Sequence, residues 1–355
     1  MSRFLDPRYA ALEPYTPGEQ PRGRKFIKLN TNESPYPPSP QVIEAISRAE
    51  VENLRLYSDP TADDLVGAIA TFYGLEKNQV VTGNGSDEIL AFAFLAFCGQ
   101  KGAAFPEISY GFYPVFAELF GVRARAVPLN ADFTIDIGPY LVPGENVVIA
   151  NPNAPTGLAL ELEQIEAILR AHPDDVVLID EAYVDFGARS AVSLLPKYDN
   201  LLIVQTFSKS RALAGGRIGF ALGNPDLIAD LSAMKYSFNP YNLGRLPQLA
   251  GAAAMRDVEY FSDCTGRIIA TREKTAQALR ALGCELTDSL ANFLFVRFPG
   301  VAGGRAQQRL RDKGILVRWF DRAPIRDYLR VTVGSEAEMA TFVRTVEEII
   351  REEAQ

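Results

Sequence analysis

Four apolar runs in this 355-residue chain each stop at a short polar motif, and that recurrence constrains the fold more than any single residue does. Gln79 to Thr82 runs into Gly83 to Glu88 (GNGSDE), and Val147 to Ala150 into Asn151 to Gly157 (NPNAPTG). Val176 to Ile179 ends at Asp180, and Leu201 to Val204 leads to Thr206-Phe207-Ser208-Lys209. Short apolar runs bounded by such motifs read as buried strands, and helical patterns between them, such as Glu161 to Ala171, imply crossover connections and a largely parallel sheet. Open sheets of this kind gather ligand chemistry at the carboxyl ends of their strands. The fold class expected is therefore α/β.

Further strand candidates at Gly102 to Phe105, Arg123 to Pro128 and Gly219 to Leu222 bring the total to seven. After a long helical stretch from Leu246 to Leu282, strands at Phe293 to Phe298 and Tyr328 to Val333 and a helix from Glu336 suggest a smaller α+β domain. We expect an irregular N-terminal arm, 1–40, that packs with the small domain, a large domain, 41–245, and the small domain, 246–355.

The chemistry at the strand ends is specific. Lys209 follows two hydroxyls, Thr206 and Ser208, and a glycine-containing loop (SRALAGGR) carries the chain to Arg217. A phosphorylated carbonyl cofactor needs that combination: the amine can form a Schiff base, and Thr206, Ser208 and Arg217 can hold a dianionic phosphate. Gly85, Ser86 and Asp87 open an apolar helix and can offer backbone N–H groups to the same anion, with the Asp87 carboxylate turned away or favouring the helix dipole.

These motifs, with LNTNESPYPPSP (Leu29 to Pro40), PEISYGFY (Pro106 to Tyr113), DEAYVDF (Asp180 to Phe186), TFSKSRALAGGRIGF and YLRVTVG (Tyr328 to Gly334), occur in the order found in fold-type I pyridoxal phosphate aminotransferases. Within that group the chain resembles the histidinol-phosphate aminotransferases. The resemblance implies a seven-stranded, mostly parallel sheet in the large domain. It implies Lys209 as cofactor lysine and proton carrier, Asp180 on the pyridine nitrogen, Tyr183 on the phenolic oxygen and Tyr110 stacked on the ring, with Phe112 and Tyr113 as rivals. Many such enzymes have an asparagine where this chain has Ala154. Either Asn153 substitutes for it or Tyr183 carries the contact alone.

The resemblance also assigns Tyr57, in RLYSDP, to the cofactor phosphate of a neighbouring subunit, which implies a homodimer with shared sites. Arg330, Arg318, Tyr15 and Asn32 fall where the family binds substrate, and Arg322 and Arg326 compete with Arg318. The reading implied is transfer of an amino group from histidinol phosphate to 2-oxoglutarate. An aromatic amino acid aminotransferase, with Tyr15, Trp319 and Phe320 lining an aryl pocket, is the first alternative. A decarboxylase of phosphorylated amino acids and a non-catalytic cofactor-binding protein follow.

Bulk properties exclude little. The formal charge of −8 with interspersed signs offers no basic stripe for nucleic acid, and no stretch is apolar and long enough for a membrane span. Cys98, Cys264 and Cys284 are too widely spaced for a metal or a disulfide framework and suggest reduced thiols in a cytoplasmic protein. The single histidine, His172, is expected in a surface or capping turn, and no metal constellation is evident.

Overall fold

The computed structural model describes Tyr9, residues 12–20 and residues 25–353. Twelve strands occur among them: β1 (Ile27–Leu29), β2 (Val80–Asn84), β3 (Ala103–Pro106), β4 (Ala124–Val127), β5 (Asn146–Ala150), β6 (Val177–Asp180), β7 (Leu201–Thr206), β8 (Ile218–Gly223), β9 (Glu285–Leu286), β10 (Phe293–Arg297), β11 (Ile315–Trp319) and β12 (Leu329–Thr332). The first sheet has seven strands in the order β2-β8-β7-β6-β5-β3-β4, and the second has five in the order β1-β11-β12-β10-β9.

The seven-stranded sheet is parallel except at β8, which runs antiparallel to both β2 and β7. Chain length explains the exception, because a parallel crossover needs a dozen or more residues and a helix, and only residues 207–217 join β7 to β8. They fold into a compact loop instead, and Thr206 registers with Gly219 across the pair. Lys209 and Arg217 are thereby held at one strand end.

Alternate side chains of the central strands enter two cores. Ile149, Ile179 and Ile203 join the core on one face of the sheet, and Val148, Leu178 and Leu202 join the core on the other. That period of two follows from the pleat, and each fully buried aliphatic side chain stabilises the fold by about 1.5–3 kcal/mol. Helices on both faces complete the layers; Leu162–Ala171, with its apolar stripe Ile165, Ile168 and Leu169 buried, makes the crossover from β5 to β6.

The second sheet corrects the expectation of an irregular arm. Residues 27–29 form β1, paired in parallel with β11 from Ile27↔Ile315 to Leu29↔Val317. Nothing in the local pattern of three residues marks a strand; the unpaired edge of β11 makes it one. The chain leaves β1 at Leu29 and turns at Asn32, whose φ of 56° is left-handed. Thr31 and Glu33 reach the cavity at the strand ends.

Candidate active site

A cavity of about 350 Å³ opens where β2, β5, β6 and β7 end, and its wall includes Ser86, Asp87, Tyr110, Ala154, Asp180, Tyr183, Thr206, Ser208, Lys209 and Arg217. The four strand-end motifs thus converge on one space.

Among the described residues no carboxylate lies against the Lys209 amine: Nζ donates to the Thr31 carbonyl at 3.3 Å and lies 5.9 Å from the Tyr183 ring centroid. Burial, then the Arg330 charge, lower its pKa to about 8. A sizeable fraction of the amine is then neutral near neutral pH, as a nucleophile and proton carrier requires.

Asp180 is buried beside it without a cation. Its Oδ2 accepts from the Tyr113 hydroxyl at 2.8 Å and its Oδ1 from the Ala182 N–H at 3.2 Å. Burial raises this carboxyl to about 6, against which the two hydrogen bonds act. A buried carboxylate lacking an opposite charge suits a protonated ring nitrogen.

Asp87 departs from expectation. Its carboxylate is not turned away: Oδ2 accepts from Arg217 Nη2 at 3.0 Å and Oδ1 from the Tyr110 hydroxyl at 2.6 Å. Position three of the helix Gly85–Ala93 places this side chain within the arginine's reach, and the cation favours the inward rotamer. Gly85 favours glycine because its φ of 78° is left-handed, and a Cβ there would also meet Arg217 Nη2 at 2.5 Å and displace that guanidinium. Ser86 backs onto Gly219, where a Cβ would come within 2.2 Å of the Ser86 nitrogen.

Among the three aromatic rivals, Tyr110 lines the cavity. Phe112 stacks on Tyr15 with centroids 4.4 Å apart, and Tyr113 lies buried behind Asp180. Asn153 is corrected as a cofactor ligand. Its Nδ2 donates to the Ile108 carbonyl and Thr156 Oγ1, its Oδ1 accepts from Ser109, and Ala154 instead forms the wall. Asn32 differs from its expected place too: only 1 % exposed, it sits behind Tyr183 and donates from Nδ2 to that hydroxyl at 3.0 Å.

Tyr57 does not reach this cavity within its own chain; it is 81 % exposed and stacks on Tyr241. Arg318 and Arg330 are register partners across β11 and β12. Arg330 donates to the Asn30 carbonyl at 3.1 Å, and its buried Nε has no hydrogen-bond partner among the described residues. Arg318 donates to the carbonyls of Thr16 and Pro17, next to Tyr15. The competitors are neutralised elsewhere: Arg322 pairs with Glu107 at 2.9 Å and Arg326 with Asp321 at 3.6 Å. Trp319, proposed for an aryl pocket, donates to the Arg326 carbonyl at 2.7 Å and packs on Gly304.

Two site residues escaped the sequence. Glu33 lines the cavity and accepts from Lys28 Nζ at 2.6 Å and Thr31 Oγ1 at 2.9 Å, contacts that hold its pKa low against burial. Tyr113 was legible only as a candidate for stacking. His172 takes the capping place expected of it, closing the helix Leu162–Ala171 with its N–H on the Leu169 carbonyl, but it is not at the surface: it is fully buried, with Nδ1 3.0 Å from Asp175 Oδ2 and Nε2 2.7 Å from the Tyr140 carbonyl. The turn after Ala171 folds inward because these acceptors lie beneath it. Among the described residues no cluster could hold a metal, and no helix is long and apolar enough to cross a membrane.

Comparison with known proteins decides the family. A model of the aminotransferase class I and II family matches residues 24–346. The chain belongs to the class I and II aminotransferases.

The similarity extends along the whole chain. This aminotransferase is 49 % identical over 353 residues to a histidinol-phosphate aminotransferase of Brachyspira hyodysenteriae, covering 99 % of this chain and 100 % of the relative. It is 51 % identical over 346 residues to one of Marinomonas, covering 96 % and 98 %. A crystal structure of histidinol-phosphate aminotransferase from Sinorhizobium meliloti in complex with pyridoxal-5'-phosphate superposes with a TM-score of 0.87 at 26 % identity, covering 99 % of both chains. Members of this family work with pyridoxal phosphate. The residues here fit that group: a buried, uncompensated amine and carboxylate flank the cavity, and Arg217 meets a helix N-terminus at one end.

Proposed function

We propose that this aminotransferase moves the amino group of histidinol phosphate to 2-oxoglutarate. The observation carrying the substrate assignment is the pair Arg318 and Arg330, placed opposite each other on β11 and β12 with no carboxylate partner among the described residues. Like charges facing each other across a ladder are destabilising. A phosphate dianion between the two guanidinium groups and the Tyr15 hydroxyl relieves that repulsion, and a single carboxylate does so less completely. The names of the relatives in Brachyspira and Marinomonas support the same substrate.

Bound pyridoxal phosphate supplies a carbonyl that takes up the amino group and a ring that draws electrons from the substrate carbon. Lys209 would bond the carbonyl carbon and, once the substrate amine had displaced it, would carry the proton to and from the substrate carbon. Asp180 would pair with the ring nitrogen, and Tyr110 and Tyr183, which line the same cavity, would contact the ring and its phenolic oxygen. Arg217, Ser208, Thr206 and the amides of Gly85, Ser86 and Asp87 hold the phosphate. Asp87 acts besides through its carboxylate, keeping Arg217 and Tyr110 in place.

A homodimer completes the site. Tyr57 is exposed, as are Leu54 and Leu56 beside it in the chain and Tyr241, on which it stacks, an apolar surface suited to burial against a second copy. The buried free thiols Cys98, Cys264 and Cys284 support a reducing, cytoplasmic setting. Half-reaction spectra with histidinol phosphate, phenylalanine and threonine phosphate test the substrate. Histidinol phosphate should convert the cofactor fastest, and faster conversion by phenylalanine overturns the assignment.

A further inference from the structure

Ala154 leaves this site with one side chain fewer to contact the cofactor's phenolic oxygen, because the alanine lines the cavity and neighbouring Asn153 is engaged with Ile108, Ser109 and Thr156. Tyr183 is the remaining donor, and a phenol is a useful donor only if its hydrogen points the right way. The residue that settles this lies outside the cavity.

The orientation follows from counting hydrogens around Asn32. The backbone N–H of Asn32, which can only donate, points at Thr332 Oγ1 at 2.9 Å. Thr332 must therefore turn its own hydrogen elsewhere, and the acceptor it finds is Asn32 Oδ1 at 3.0 Å. With Oδ1 fixed on Thr332, the amide nitrogen faces Tyr183 and donates to its oxygen at 3.0 Å. Asn292 fixes the backbone from the other side, donating to the Asn32 carbonyl at 3.0 Å. Asn32 and Thr332 are nearly fully buried. Burial also keeps the Tyr183 phenol protonated, raising its pKa above the ordinary value.

We infer that Asn32 is a positioning residue: by donating to the Tyr183 oxygen it forces the Tyr183 hydrogen toward the phenolic oxygen of the cofactor, supplying through a relay what Ala154 cannot supply directly. A donor that itself accepts a hydrogen bond is also a stronger donor. The inference rests on pyridoxal phosphate occupying this cavity but not on the identity of the amino donor.

The test is a pH titration of the absorbance of the purified, cofactor-loaded protein without substrate. A hydrogen bond to the phenolic oxygen favours the form in which the cofactor imine has lost its proton, so losing the bond raises the pH of that change. Asn32→Ala should raise it by about half a unit and Asn32→Asp, whose carboxylate accepts the Tyr183 hydrogen, by about one unit or more. In a Tyr183→Phe background, which lacks the hydroxyl that Asn32 orients, Asn32→Ala should shift the midpoint no further, whereas a merely structural role for Asn32 would shift it in both backgrounds. An unchanged or lowered midpoint in Asn32→Ala, or an equal further shift in the Tyr183→Phe background, overturns the inference. A protein with no cofactor band at all would instead refute the occupancy of the cavity.

Discussion

The two walls of the active site are built differently. The cofactor wall consists of residues at the ends of adjacent strands that hold one another, Arg217 against Asp87 and Asp180 under Tyr113, although the Asp180 carboxylate and the Lys209 amine have no opposite charge against them among the described residues. The substrate wall joins residues roughly 300 positions apart, Arg330 to Asn30 and Arg318 to Thr16 and Pro17, and among the described residues neither guanidinium group has a carboxylate partner. A shared cofactor asks for a rigid, locally encoded cradle. Substrate choice rests on uncompensated charge that only a ligand neutralises.

Alanine in place of Lys209 tests the first wall most severely. Transamination should fall by about 10⁴-fold or more in single-turnover assays, with the cofactor's imine absorbance lost. Retention of that band would break the assignment of the cofactor wall.

On the second wall, Arg330→Ala should lower kcat/KM by about 10²–10³-fold for phosphorylated and carboxylate substrates alike. Arg318→Ala should cost about tenfold, chiefly with phosphorylated substrates, because this guanidinium is more exposed and partly engaged by the N-terminal segment. Equal losses for both substrate classes in the second variant would erase the distinction between the two arginines.

A smaller effect concerns stability. Asp180 is shifted upward from the ordinary 3.8 to about 6, so the folded cofactor-free protein binds more protons than the unfolded chain between those values. Its stability should then fall as pH rises through that window, by at most roughly 3 kcal/mol from this group. Asp180→Asn should flatten the slope and make the cofactor-free protein more stable at pH 7, read from urea denaturation at pH 5 and pH 7. An unchanged slope would mean that burial does not destabilise the Asp180 carboxylate. Glu181, also raised by burial, to about 7, contributes in the same direction in both proteins, which makes the difference between them the useful quantity.

Much of the cofactor wall was legible because Asp180, Lys209 and the GNGSDE motif each directly follow or close an apolar run, and strand order alone carries such residues to one edge. Tyr113 and Glu33 were not legible in their roles. What makes Tyr113 a partner for Asp180 is a contact across 67 positions, and what brings Glu33 to the cavity is β1 docking on β11. Asn153 misled because its amide is consumed by Ile108 and Thr156, contacts that no spacing announces.

By itself, then, the sequence determined the α/β layering, the strand ends at which chemistry collects and the lysine and arginine that mark the cofactor, because alternation, apolar runs and short loops are local properties. Tertiary structure alone decided which polar groups face the cavity and which are tied up behind it. A hydrogen-bonding group has few partners to give, and only the folded chain shows which of them Asn32, Asn153, Arg322 and Arg326 have already taken.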